Sequence, residues 1–128
     1  MNGPTDVLVV EDDLDMQEVM LRLLRLAGYA ARGAPNGLEA LKAVAERRPA
    51  LVLLDMLMPV MDGWQCAREL RARYGPSLPI VVVSAAEHAH ARGLEIGADE
   101  VLAKPFELKE LLRVVSLYAP KGIARFET

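Results

Sequence analysis

Four places in this chain carry side chains suited to an oxygen-rich, charged group: the acidic run Glu11-Asp12-Asp13, then Asp55, Ser84 and Lys104. Carboxylates crowded together repel, and each resists ionising unless a cation is near. Lys104 offers one positive charge, and a divalent metal would supply the rest. Mg²⁺ takes an octahedron of oxygens, keeps several waters, and binds through one or two carboxylates plus a phosphate oxygen. The set therefore suits Mg²⁺ and a phosphoryl group, with Asp55 as nucleophile and an aspartyl phosphate as product. That chemistry requires the four places to meet, which is a demand on the elements between them.

The stretch LVLLDMLMPVMDG, Leu51 to Gly63, runs four apolar residues straight into Asp55. A continuous apolar run of this length fits a strand buried on both faces of a parallel sheet. Val7–Val10 and Ile80–Val83 read the same way, Val101–Ala103 more weakly, and Tyr29–Arg32 as a short outer strand. Between them lie helical patterns. Leu14–Ala27 carries Met16, Val19, Met20, Leu23 and Ala27 at the spacing of one helix face, and Gly28 stops it. Leu38–Arg47 is ended by Pro49. Trp64–Tyr74, Glu87–Ile96 before Gly97, and Glu107–Tyr118 follow, the last with Leu108, Leu111, Leu112 and Val115 on one face. Strands alternating with helices predict right-handed βαβ units and a parallel sheet covered on both sides. In such α/β sheets ligands bind outside the carboxyl ends of the strands. There the chain places its acidic run, Asp55, Ser84 and Lys104.

Taken singly, each residue has a plain reading. Asp12 or Asp13 caps the first helix, Asp55 makes an Asx turn, Ser84 caps a helix, and Lys104 is a surface lysine. Their joint placement is what those readings leave unexplained. The bulk numbers narrow the rest. At 128 residues the chain makes one domain, expected over residues 1–119, with an aperiodic tail over 120–128. A net charge of −3 argues against a nucleic-acid surface. Arg47-Arg48 and Arg68, Arg71 and Arg73 read as solvated helix faces. The single cysteine, Cys66, excludes an internal disulfide and reads as a small core filler. With no signal segment and no apolar run near 20 residues, a cytoplasmic protein with no membrane contact is expected.

The chain resembles the receiver domains of two-component response regulators, over Thr5 to Ala119. The resemblance rests on VLVVEDD (Val7–Asp13), LVLLDMLMPVMDG (Leu51–Gly63), IVVVSA (Ile80–Ala85) and GADEVLAKPF (Gly97–Phe106), and on the spacing between them. It implies a flavodoxin-like, doubly wound α/β fold: a five-stranded parallel sheet of order 2-1-3-4-5 with five helices. It implies phosphorylation at Asp55, with Ser84 and Lys104 contacting the phosphoryl group. It also implies Mg²⁺ held by Glu11 (through water), Asp12, Asp55 and the backbone carbonyl of Leu57, and a cis Lys104–Pro105 bond. Asp62 is expected to cap the third helix, Gly63 to permit a turn, and Pro59 to stiffen the loop. One departure matters: the family places an aromatic residue three before the lysine, where this chain has Val101. His88 and His90 read as solvent-facing.

These readings predict a Mg²⁺-dependent phosphoacceptor switch rather than a conventional enzyme. The donor would be a histidine kinase or histidine phosphotransfer protein. The signal would leave through an unidentified downstream protein, or through a domain beyond Thr128. A phosphatase of the haloacid-dehalogenase type would need a second Asp two residues after the nucleophile, where Leu57 stands. A degenerate receiver, binding proteins without phosphorylation, is the alternative that Val101 leaves open.

Overall fold

The strand runs explain themselves once the side chains are sorted by parity. Val7, Val9, Leu51, Leu53, Val81 and Val83 enter one buried cluster, and Leu8, Val10, Val52, Leu54, Ile80 and Val82 enter another. Successive side chains on a strand point to opposite faces, so an unbroken apolar run fills two cores at once. The computed structural model describes residues 6–56, 61–85 and 97–119. Its strands are β1 (Asp6–Val10), β2 (Ala30–Ala34), β3 (Leu51–Asp55), β4 (Ile80–Ala85) and β5 (Glu100–Lys104). All pairings are parallel, and the order is β2-β1-β3-β4-β5, as expected.

Among the described residues four α-helices cover this sheet: α1 (Leu14–Leu26), α2 (Gly37–Glu46), α3 (Gly63–Tyr74) and α4 (Leu108–Tyr118). Helices α2 and α3 bury Ala40, Leu41, Val44, Cys66, Ala67 and Leu70 against one face; α1 and α4 bury Met20, Leu21, Leu24, Leu111, Val114 and Val115 against the other. The helix expected over Glu87–Ile96, with His88 and His90, lies outside the described residues. So do Leu57, Pro59 and the tail 120–128.

Several expectations shift. Strands β3, β4 and β5 run further than their apolar cores, so Asp55, Ser84 and Lys104 are ladder residues. Asp55 registers with Val83 and Lys104 with Ala85. A backbone ladder continues while the neighbouring strand offers partners, whatever the polarity of the side chain. The first helix is turned relative to its expected face: Met16 and Val19 are 41% and 50% exposed, while Leu21 and Leu24 are buried. In α4, Leu108 is likewise exposed and Val114 buried.

The arginines divide. Arg71 is no solvated side chain: its guanidinium donates to the carbonyls of Gly75, Leu78 and Gly97 and to Asp99 Oδ2. It gathers the loop carbonyls at the edge where β4 begins. Arg32 and Arg47 both pair with the buried Asp6.

The caps fall where expected. Asp13 accepts from the N–H groups of Asp15 and Met16, and Asp62 accepts from Gln65 N–H at 2.9 Å. Gly63 serves differently from expectation. It is the first residue of α3, and a Cβ there would lie 2.6 Å from Met56 Cα and 2.8 Å from Asp55 O. Glycine lets α3 begin against the end of β3.

Candidate metal and phosphoryl site

The carboxyl ends of β1, β3 and β5 bring Glu11, Asp12, Asp55 and Lys104 together. One carboxylate oxygen from each of Glu11, Asp12 and Asp55 can be chosen so that all lie within 4.8 Å of one another. Glu11 and Asp55 are buried, at 4% and 7% exposure, whereas Asp12 faces solvent. Lys104 Nζ stands 3.8 Å from Glu11 Oε1 and 3.6 Å from Asp55 Oδ1, so one ammonium serves two carboxylates.

Burial pushes the Glu11 carboxyl up to about 7, and Asp55 adds to this through its charge and a hydrogen bond. The N–H of Asp13, 3.2 Å from Glu11 Oε2, and the charge of Lys104 pull the other way. Among the described residues, Lys104 is the one cation paired with these two buried acids, a single positive charge for two carboxylates. The donors are hard oxygens converging from the loop after β1 and the end of β3. This is the donor set that Mg²⁺ selects, and an octahedral ion with ligands at about 2.1 Å spans oxygens about 3 to 4 Å apart. The residues fit the ion.

Ser84 is half-buried, one step along β4 from Val83, the register partner of Asp55. It stands on the strand between those carrying Asp55 and Lys104. The backbone carbonyl of Leu57 lies outside the described residues. The Lys104–Pro105 bond is cis. Val101 is half-buried and registers with Val82. Cys66 is fully buried, and burial, with Glu69 nearby, pushes its thiol up to about 12. At neutral pH it carries essentially no thiolate, and it acts as core.

One residue that the sequence did not single out touches the site's backbone. The Gln17 amide Nε2 donates to Glu11 O at 3.0 Å and to Ala34 O at 3.2 Å. A glutamine one turn into an amphipathic helix reads as solvent-facing, so no spacing rule marks it.

Comparison with known proteins agrees with this arrangement. Residues 7–116 match the family described as the response regulator receiver domain. The response regulator MprA of Mycobacterium sp. (strain KMS) is 44% identical over 111 residues, covering 85% of this chain and 48% of that protein. The chain thus spans about half the length of the curated relatives it matches. Among solved structures, a putative response regulator from Chloroflexus aurantiacus is 35% identical with a TM-score of 0.83, covering 91% of this chain and 98% of that one. The receiver domain of the sensor histidine kinase PA1611 from Pseudomonas aeruginosa is 32% identical with a TM-score of 0.81, at 91% and 98% coverage. That structure has a magnesium ion coordinated in its active site cleft.

Proposed function

Since the chain belongs to the response regulator receiver domains, signalling switches of two-component systems, we propose that it accepts a phosphoryl group on Asp55 from a phosphohistidine donor. The observation that carries this reading is Lys104 paired to both Asp55 and Glu11 inside a carboxylate cluster.

Glu11, Asp12 and Asp55, with the carbonyl of Leu57, would hold Mg²⁺. Bound there, the ion supplies charge neutralisation for phosphoryl oxygens. An Asp55 carboxylate oxygen attacks phosphorus in line. The new O–P bond forms as the N–P bond to the donor imidazole breaks, and that nitrogen keeps the electron pair and takes up a proton. Lys104 shifts its pairing from the Asp55 carboxylate to a phosphoryl oxygen, and the Ser84 hydroxyl donates to another. Hydrolysis of the acyl phosphate resets the switch.

The donor is a histidine kinase or histidine phosphotransfer protein, and the output is contact with a downstream protein or a linked domain. A cytoplasmic setting is part of this proposal; no helix among the described residues is long and apolar enough to cross a membrane. The degenerate, phosphorylation-independent reading is disfavoured because no member of the set Glu11, Asp12, Asp55, Ser84 and Lys104 has been replaced.

The test is incubation with acetyl phosphate followed by intact-mass measurement. One phosphoryl group should be gained with Mg²⁺ and none with a chelator, and Asp55→Asn should gain none. Equal modification without metal would refute the mechanism.

A further inference from the structure

Asp12 is the exposed member of the cluster, and among the described residues no hydrogen bond or ion pair orients its carboxylate. Its direction therefore depends on the backbone that carries it. That backbone is held from one side chain. Gln17 Nε2 donates to Glu11 O at 3.0 Å, which fixes the plane of the Glu11–Asp12 peptide. The same nitrogen donates to Ala34 O at 3.2 Å, which also accepts from Glu11 N–H at 3.0 Å. One amide thus ties α1, the end of β1 and the end of β2 at the residue before Asp12.

The room for that amide comes from Gly33. A Cβ at Gly33 would lie 2.3 Å from Gln17 Oε1 and 2.5 Å from Gln17 Cδ. Gly33 has no left-handed backbone to explain its identity, and as an exposed residue of the edge strand it fills no core. The flexible end of Gln17 would have to leave if Gly33 bore a methyl group.

We infer that Gln17, seated over Gly33, is a positioning residue that sets the affinity of the acidic pair for a divalent cation. The inference rests on the proposed metal-assisted reading of the site. An amide that orients a ligand's peptide acts like other partners behind a metal's ligands, whose loss typically costs about 10- to 100-fold in affinity. Gln17 acts one bond further back, so the lower end, about tenfold, is expected.

The experiment is a calorimetric Mg²⁺ titration of wild type, Asp12→Asn, Gln17→Met, Gln17→Ala, Gly33→Ala and the Gln17→Ala/Gly33→Ala double variant. Gln17→Met keeps the side-chain volume and removes only the amide. It should bind Mg²⁺ about tenfold more weakly and move the amide resonances of Asp12 and Asp13. Gly33→Ala should weaken binding alike, since it evicts the same side chain. The double variant should be no weaker than Gln17→Ala, because the second change has nothing left to displace. Should Gln17→Met not fold, Gly33→Ala at the exposed edge gives the same readout. Unchanged affinity in Gln17→Met or Gly33→Ala, or additive losses in the double variant, would overturn the inference while the site reading stood. Wild type without Mg²⁺ affinity, or Asp12→Asn retaining it, would overturn both.

Discussion

At the scale of single residues, Glu11 governs how the site answers pH. Burial raises its carboxyl from 4.5 to about 7, so between these values the folded protein holds a proton that the unfolded chain has lost. In the metal-free protein this contribution to stability is fully present below about 4.5 and disappears as pH rises through about 7. A metal needs the deprotonated carboxylate. Mg²⁺ binding near pH 6.5 should therefore release protons, and affinity should fall as pH drops further. Calorimetry in two buffers of different ionisation enthalpy measures this release, which should vanish in Glu11→Gln. Release that persists in that variant would assign the proton elsewhere. Asp12→Asn should weaken Mg²⁺ more than Glu11→Gln, because Asp12 is expected to ligate directly and Glu11 through water. The reverse order in a metal titration would exchange the two roles.

At the scale of elements, the close approach of α3 to β3 is what leads the chain away from Asp55. A Cβ on Gly63 would meet backbone atoms, Met56 Cα and Asp55 O, which cannot swing aside as a side-chain end can. Gly63→Ala should lower stability by about 1–3 kcal/mol, the range for overpacking, and slow phosphorylation by moving the strand end that carries Asp55. A urea midpoint and acetyl phosphate rate equal to wild type would show that the helix start yields without disturbing the site. The strands were legible because β1, β3 and β4 bury both faces, leaving a single interpretation for VLVV, LVLL and IVVV. The face of α1 was not. Eight of its thirteen residues are apolar, so two overlapping stripes satisfy the helical period, and only packing against the sheet selects Met20, Leu21 and Leu24. The acids and the lysine were legible because each follows an apolar strand core. Gln17 was not, since its role depends on a contact with β2 that local spacing does not encode.

At the scale of the whole molecule, the rejected stripe of α1 has a place. Met16, Val19 and Leu23, with Phe106, Leu108 and the edge of the core residue Met20, line a groove of about 520 Å³ that Lys104 also borders. An apolar surface left open beside a reacting group marks an interaction site. On the proposed reading, a protein delivering a phosphoryl group to Asp55 would cover the rim of the site at Lys104, and the groove is predicted to lie under that donor. Val19→Asp should slow transfer from that donor at least tenfold, a loss of about 1.4 kcal/mol in transition-state binding, and leave the acetyl phosphate rate unchanged. Equal slowing with both donors would place Val19 in the chemistry instead of the contact. All of this depends on where the phosphoryl group lands. Borohydride reduces an acyl phosphate to the alcohol, turning a phosphorylated aspartate into homoserine that peptide mass spectrometry can locate. After phosphorylation with Mg²⁺, homoserine is predicted at position 55 alone; homoserine at position 12 or 13, or none at 55 in a protein that has gained phosphate, would contradict the account.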